Sequence, residues 1–154
     1  MNLKISIITV CWNSAATIEK TIQSVASQTY GNIEYIIVDG KSKDTTLDIV
    51  KKYPDTVTNW VSEQDKGLYD AMNKGIKMAT GDYICIVNAD DTFADDTVIQ
   101  RIAEFLQTNP VDASIGDIVQ HKEDGKIIRE YGAKKWSPEK LKIGFMPPPS
   151  GYFL

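Results

Sequence analysis

Two adjacent carboxylates, Asp90 and Asp91, end an apolar run in the segment Gly81-Asp82-Tyr83-Ile84-Cys85-Ile86-Val87-Asn88-Ala89-Asp90-Asp91. Residues 83 to 87 are apolar or aromatic without alternation, the pattern of a strand covered on both faces in a parallel α/β sheet. Such sheets take ligands beyond the carboxyl ends of their strands, which puts Asp90 and Asp91 on a candidate binding rim. Side by side at neutral pH, two carboxylates repel unless a cation or a hydrogen-bonding ligand compensates them. A hard divalent ion, Mg²⁺ or Mn²⁺, itself held by a phosphate, supplies that compensation. An isolated Asp-Asp pair is better read as solvated acids capping the next helix, so the rest of the chain decides between the two.

Similar polar residues follow the other predicted strands. Residues 3 to 11 form a first strand rich in β-branched side chains, with Asn13 and Ser14 as cap candidates for a helix whose apolar face is Ile18, Ile22 and Val25. A second strand, 33 to 38, ends on Asp39-Gly40, and Ser42 to Thr46 opens a helix running to about Tyr53, stopped by Pro54. A short third strand, 57 to 61, leads to Glu63 and Asp65. The segment from Asp65-Lys66-Gly67 enters a helix with Leu68, Ala71, Met72, Ile76 and Ala79 on its apolar face, and Gly75 within that face permits close packing. After Asp91, Asp95-Asp96-Thr97 caps a helix with Val98, Ile99, Ile102, Phe105 and Leu106 facing inward.

Strands alternating with helices over short connections mean βαβ units and a parallel sheet. Beyond Asn109-Pro110 the pattern changes. Residues 113 to 119 and 126 to 131 read as an antiparallel pair about the Lys122-Glu123-Asp124-Gly125 turn, and Ser137-Pro138 starts a short helix through Leu141. The ending Tyr152-Phe153-Leu154 reads as the start of a strand that is cut. That would leave apolar surface around Phe145 and Tyr152 to Leu154 and lead to self-association as a homodimer.

The 154 residues, 42% hydrophobic, suffice for one domain with a core. No apolar run approaches the ~20 residues of a spanning helix, and no signal-peptide pattern opens the chain, so a cytoplasmic location is expected. The net charge of −4 and the lack of a basic stripe argue against nucleic acid as a partner. Cys11 and Cys85 read as small core residues on neighbouring strands, and His121 as a surface residue.

Four ordered blocks now carry a resemblance: Ile7 to Asn13, Ile36 to Thr45, Asp65 to Gly75, and Gly81 to Asp91. In order and spacing they resemble family 2 glycosyltransferases, most of all the bacterial members that build polysaccharides, over nearly the whole chain. The resemblance implies an α/β, Rossmann-like GT-A sheet with helices on both faces. Residues 1–154 would form one domain, with 1–110 as the nucleotide-binding part and 111–154 as the start of an acceptor-side part cut short. It also implies a UDP-sugar or other nucleotide-sugar donor, a divalent metal, inverting transfer, and a glycan or lipid-linked acceptor, with attachment at the inner face of the membrane as a family expectation.

Carried onto this sequence, the resemblance places Thr9 and Asn13 near the nucleotide and gives Asp39 the role of accepting a hydrogen bond from the base. Lys66 would neutralise phosphate, and Asp70 and Asn73 would orient the donor loop. Asp90 would meet ribose or sugar hydroxyls, Asp91 would hold the metal, and both belong to the metal-binding motif. Asn88 stands where many relatives carry the motif's first Asp, an uncharged substitute that predicts modest metal affinity. Asp44 reads as a helix cap. Glu123, Asp124, Glu130 and Glu139 read as solvated surface, so the general base is expected beyond Leu154 and the chain as a donor half that transfers little alone. A nucleotide-binding module without catalysis is the alternative. A sugar nucleotidyltransferase or a dehydrogenase is disfavoured because no Gly-rich loop follows the first strand.

Overall fold

The computed structural model describes residues 2–122, 124–143 and 151–154. Four parallel strands form the centre: β1 (Ile5–Cys11), β2 (Ile33–Asp39), β3 (Asn59–Ser62) and β4 (Tyr83–Ile86). Two short strands, β5 (Ser114–Ile115) and, from the chain's end, β8 (Tyr152–Phe153), extend the sheet to the order β3-β2-β1-β4-β8-β5, with β8 antiparallel to both neighbours. The order reverses at β1, as in doubly wound sheets, and this puts the ends of β1 and β4 side by side.

Helices cover both faces. Helices α1 (Ile18–Ala26), α2 (Thr46–Val50) and α4 (Val98–Thr108) pack on one, where Ile18, Ile22, Val50, Ile99 and Leu106 meet Ile5, Ile7, Tyr35, Ile37 and Cys85. Helix α3 (Leu68–Met78) covers the other, setting Ala71 and Met72 on Ile8, Val10, Ile36 and Val38. Strand alternation sorts the two sets, and the close seating of α3 depends on Gly75, where a Cβ would collide with Ile8. No helix among the described residues is long and apolar enough to cross a membrane.

The predicted elements are present, with differences that have physical causes. Helix α2 is five residues long and not twelve, and it starts late because Ser42, Lys43 and Asp44 are taken up by bonds to the loop after β1. Neither Asn13 nor Ser14 caps α1 with its side chain, since α1 starts after Thr17; the Ser14 carbonyl accepts from Thr17 N–H and Ile18 N–H, and Asn13 holds a left-handed turn at φ 49°. Leu68, Ile76 and Phe105 are exposed, and the core takes Ala71, Met72 and Gly75 from α3 and Ala103 from α4. In β4 only Cys85 is fully buried; Tyr83, Ile84 and Ile86 are half-buried. The expected strand 113–119 splits at Gly116-Asp117 into β5 and β6 (Ile118–His121), and β6 pairs with β7 (Ile127–Tyr131) as a separate hairpin. Phe153 is buried in the sheet, contrary to the exposed apolar end expected of the sequence, while Leu154 is exposed. Phe145 and Glu123 lie outside the described residues. Both cysteines are free and buried, and burial pushes their thiols well above the ordinary range.

At the amino ends of the strands, Glu34 is buried in a polar network. Its carboxylate accepts bonds from Lys4 Nζ (2.9 Å), Ser6 Oγ (2.5 Å), and Thr80 N (2.8 Å) and Oγ1 (2.7 Å). Burial alone would raise its pKa, but these donors together hold it at about 2.

Candidate active site

The loops at the carboxyl ends of β1, β3 and β4, with the first turns of α3, surround an open cleft of about 690 Å³. Its lining includes Cys11, Trp12, Asn13, Asp65, Gly67, Leu68, Asn88 and Asp90. Polar clasps fix this rim. Gly40 N–H donates to the Cys11 carbonyl (2.8 Å), Asn13 N–H to Ser42 Oγ (2.7 Å), and Lys43 N–H to Asn13 Oδ1 (2.9 Å). Asp44 accepts from Ala15 N–H (3.1 Å) with one oxygen and from Thr46 N–H (3.0 Å) and Oγ1 (2.6 Å) with the other. Thr46 Oγ1 in turn accepts from Ser14 N–H (2.8 Å). The Thr46 hydroxyl and the backbone donors hold the Asp44 carboxyl below its usual range.

The residues singled out in the sequence divide here. Asn13 and Asp90 line the cleft. Thr9 does not: it is wholly buried, 3.0 Å from the Tyr35 hydroxyl, because its position in β1 points toward the α1 side of the core. Asp39 is also wholly buried. Its Oδ2 accepts from Ser42 N–H (3.0 Å) and Ser62 Oγ (2.6 Å), and its Oδ1 faces the Ser42 hydroxyl and Cys11 Sγ (3.6 Å). With about four acceptor positions on a carboxylate, none is left for a nucleobase while these bonds stand. Asp70 accepts from Lys66 N–H (2.9 Å), and this bond foremost lowers its pKa; the arrangement holds the loop ahead of α3. Lys66 and Asn73 are exposed and outside the cleft lining.

Sequence reading passed over Trp12, 67% exposed at the rim, and left Asp65 as a rim acid without a role. A large aromatic placed directly after a strand end was the available signal for the first. Asp65 Oδ1 accepts from Gly67 N–H (2.9 Å), while Oδ2 lies 2.6 Å from where a Cβ on Gly40 would stand, so a side chain at position 40 would make Asp65 shift.

The end of β4 offers a donor set that suits a hard ion. Asp90 is exposed on the cleft, and the half-buried Asp91 accepts a bond from Asn88 Nδ2 (2.9 Å). No group of three or more His, Cys, Asp or Glu side chains converges among the described residues. Asp90 and Asp91 are the carboxylates that could hold such an ion, and its other positions would then fall to phosphate oxygens and water, the usual division for Mg²⁺.

A Rossmann-like sheet with an open cleft at its switch point is the arrangement in which α/β proteins take their ligands. The model of glycosyl transferase family 2 matches residues 6–150, and the chain belongs to that family. A PGL/p-HBAD biosynthesis glycosyltransferase of Mycobacterium bovis is 36% identical over 118 residues, 74% of this chain and 46% of that protein. The Escherichia coli UDP-Glc:alpha-D-GlcNAc-diphosphoundecaprenol beta-1,3-glucosyltransferase WfaP is 37% identical over 108 residues, 70% of this chain and 43% of that protein. The chain thus spans less than half the length of these relatives. Among solved structures, S. aureus TarS 1-349 in complex with UDP-GlcNAc superposes with a TM-score of 0.68 at 27% identity, covering 72% of this chain and 33% of that one. The sheet and its flanking helices are the GT-A arrangement that the sequence implied.

Proposed function

We propose that this chain is the donor-binding part of an inverting glycosyltransferase that takes a UDP-sugar with a divalent metal and serves a polysaccharide or lipid-linked acceptor at the inner face of the membrane. The observation that carries the reading is the cleft at the ends of β1 and β4, whose lining includes an exposed aromatic, Trp12, and an exposed carboxylate, Asp90. Those two groups match the two ends of a nucleoside diphosphate: a flat base, and a phosphate that arrives with its cation. The UDP and UDP-GlcNAc complexes of TarS and the lipid-linked acceptor in the name of the E. coli relative support the donor and acceptor classes.

In this reading Asp90 and Asp91 hold the ion, and Asn88 orients Asp91. The ion, when bound, would offset the charge growing on the departing diphosphate. Asp39 acts through the Gly40–Ser42 loop that it fixes, and Asn13 ties that loop to the end of β1. Asp124, Glu130 and Glu139 are exposed and none lines the cleft, so none of the three is assigned a part in the reaction. The test is a calorimetric titration of UDP with Mn²⁺, then with EDTA, then into the Asp91→Ala variant. Metal-dependent binding that is lost in the variant is expected. Absence of binding to UDP, GDP and TDP by a folded sample would overturn the proposal.

A further inference from the structure

The loop from Glu63 to Gly67 forms a wall of the cleft through Asp65 and Gly67, yet it belongs to no helix or strand. Its end is conformationally demanding, for Gly67 sits at φ 117°, where residues with a side chain rarely go. One side chain on α3 meets the loop from behind. Lys74 Nζ lies 3.0 Å from Glu63 Oε1, donates to the Gln64 carbonyl at 3.0 Å, and stands 3.5 Å from Asp70 Oδ2. That same Asp70 oxygen accepts from Lys66 N–H. Lys74 therefore touches the first two residues of the loop directly and the fourth through Asp70.

The lysine is suited to the task. Its side chain is 22% exposed, and the bond to Glu63, with Asp70 adding to it, raises its pKa above the ordinary value, which favours the charged form. It is absent from the lining of the cleft, so its influence on a ligand must pass through the loop. Asp65, at the centre of that loop, is pressed against Gly40 and so reaches the Asp39 loop as well.

We infer that Lys74 is a positioning residue for the nucleotide cleft: by tying Glu63, Gln64 and Asp70 together it fixes the Glu63–Gly67 wall before a ligand arrives. Pre-forming a wall lowers the ordering cost of binding. The inference rests on the nucleotide-binding reading above, so its test separates the two.

The experiment compares the wild-type chain with Lys74→Met and Lys74→Arg by amide hydrogen exchange and by UDP titration in Mn²⁺. In Lys74→Met the amides of Lys66 and Gly67 should exchange faster while those of β1 and β2 keep their protection, and UDP affinity should fall about tenfold, as expected on losing charge-assisted bonds. Lys74→Arg should recover part of both effects. Unchanged exchange and affinity in Lys74→Met would overturn the inference, and so would faster exchange spread evenly over the sheet, which marks a merely structural lysine. Should the wild type bind no nucleotide, the reading of the cleft falls, while the exchange data still decide whether Lys74 fixes the loop.

Discussion

The two ends of the sheet hold carboxylates in opposite conditions. At the amino ends, Glu34 has every oxygen taken by Lys4, Ser6 and Thr80. At the carboxyl ends, Asp90 stands exposed on a cleft. A carboxylate whose lone pairs are all filled by the protein has little left for a ligand, whereas one facing solvent on a cleft retains that capacity. By this measure Asp39 belongs with Glu34, although it lies at the ligand end of its strand. Position along a strand thus selects candidates, and hydrogen-bond saturation separates those that hold the fold from those that can hold a ligand.

The sharpest test of the difference is Asp90→Ala. Removing the exposed carboxylate proposed to hold the ion should weaken metal-dependent UDP binding by about a hundredfold, or about 3 kcal/mol, with the unfolding midpoint unchanged. Binding that survives would break the comparison from the ligand side. Glu34→Gln tests the other end and should leave UDP affinity alone while lowering stability at pH 7 by about 2–3 kcal/mol. Because the folded pKa lies below the unfolded one, that contribution is full above about pH 5 and disappears as pH falls through about 2. Urea unfolding of both proteins across that range should show the gap closing with acid. Trp12→Ala comes next. Stability should hold within about 0.5 kcal/mol, since the ring is largely exposed, and UDP affinity should fall about tenfold if a base stacks on it.

Much of this was readable before any coordinates. Alternating βαβ segments gave the parallel sheet, and the strand-end rule gave the rim carrying Asn13, Asp65 and Asp90. The readings that failed share one cause: sequence shows where a residue falls on a strand or helix and not what its side chain meets. Thr9 read as a rim residue, but register against β2 sets its hydroxyl on Tyr35. Leu68, Ile76 and Phe105 satisfied a helical period, but the contact face of each helix was narrower than the period allows. Phe153 read as part of an exposed apolar end, but pairing with β4 and β5, both distant in sequence, buries it. Lys74 lies within the Asp65–Gly75 block, but its contacts with Glu63 and Gln64 exist only once α3 is folded against the preceding loop.

Ser42 offers the finest test, because it bears on the borderline case. Its hydroxyl accepts from Asn13 N–H and donates to Asp39, and its backbone N–H donates to the other Asp39 oxygen. Ser42→Ala keeps the backbone bond, removes one donor from a buried carboxylate, and leaves the exposed Asn13 N–H to water. The cost should be about 1 kcal/mol of stability, the lower end of the range for an unsatisfied buried acceptor. The affinity change then tells the two possible duties of Asp39 apart. If Asp39 works by fixing its loop, the variant slackens the clasp between β1 and β2, and UDP binds a few-fold more weakly. If Asp39 accepts directly from the base, the substitution frees an acceptor position that the ligand can fill, and affinity stays level or rises. The saturation seen in the structure predicts the first outcome.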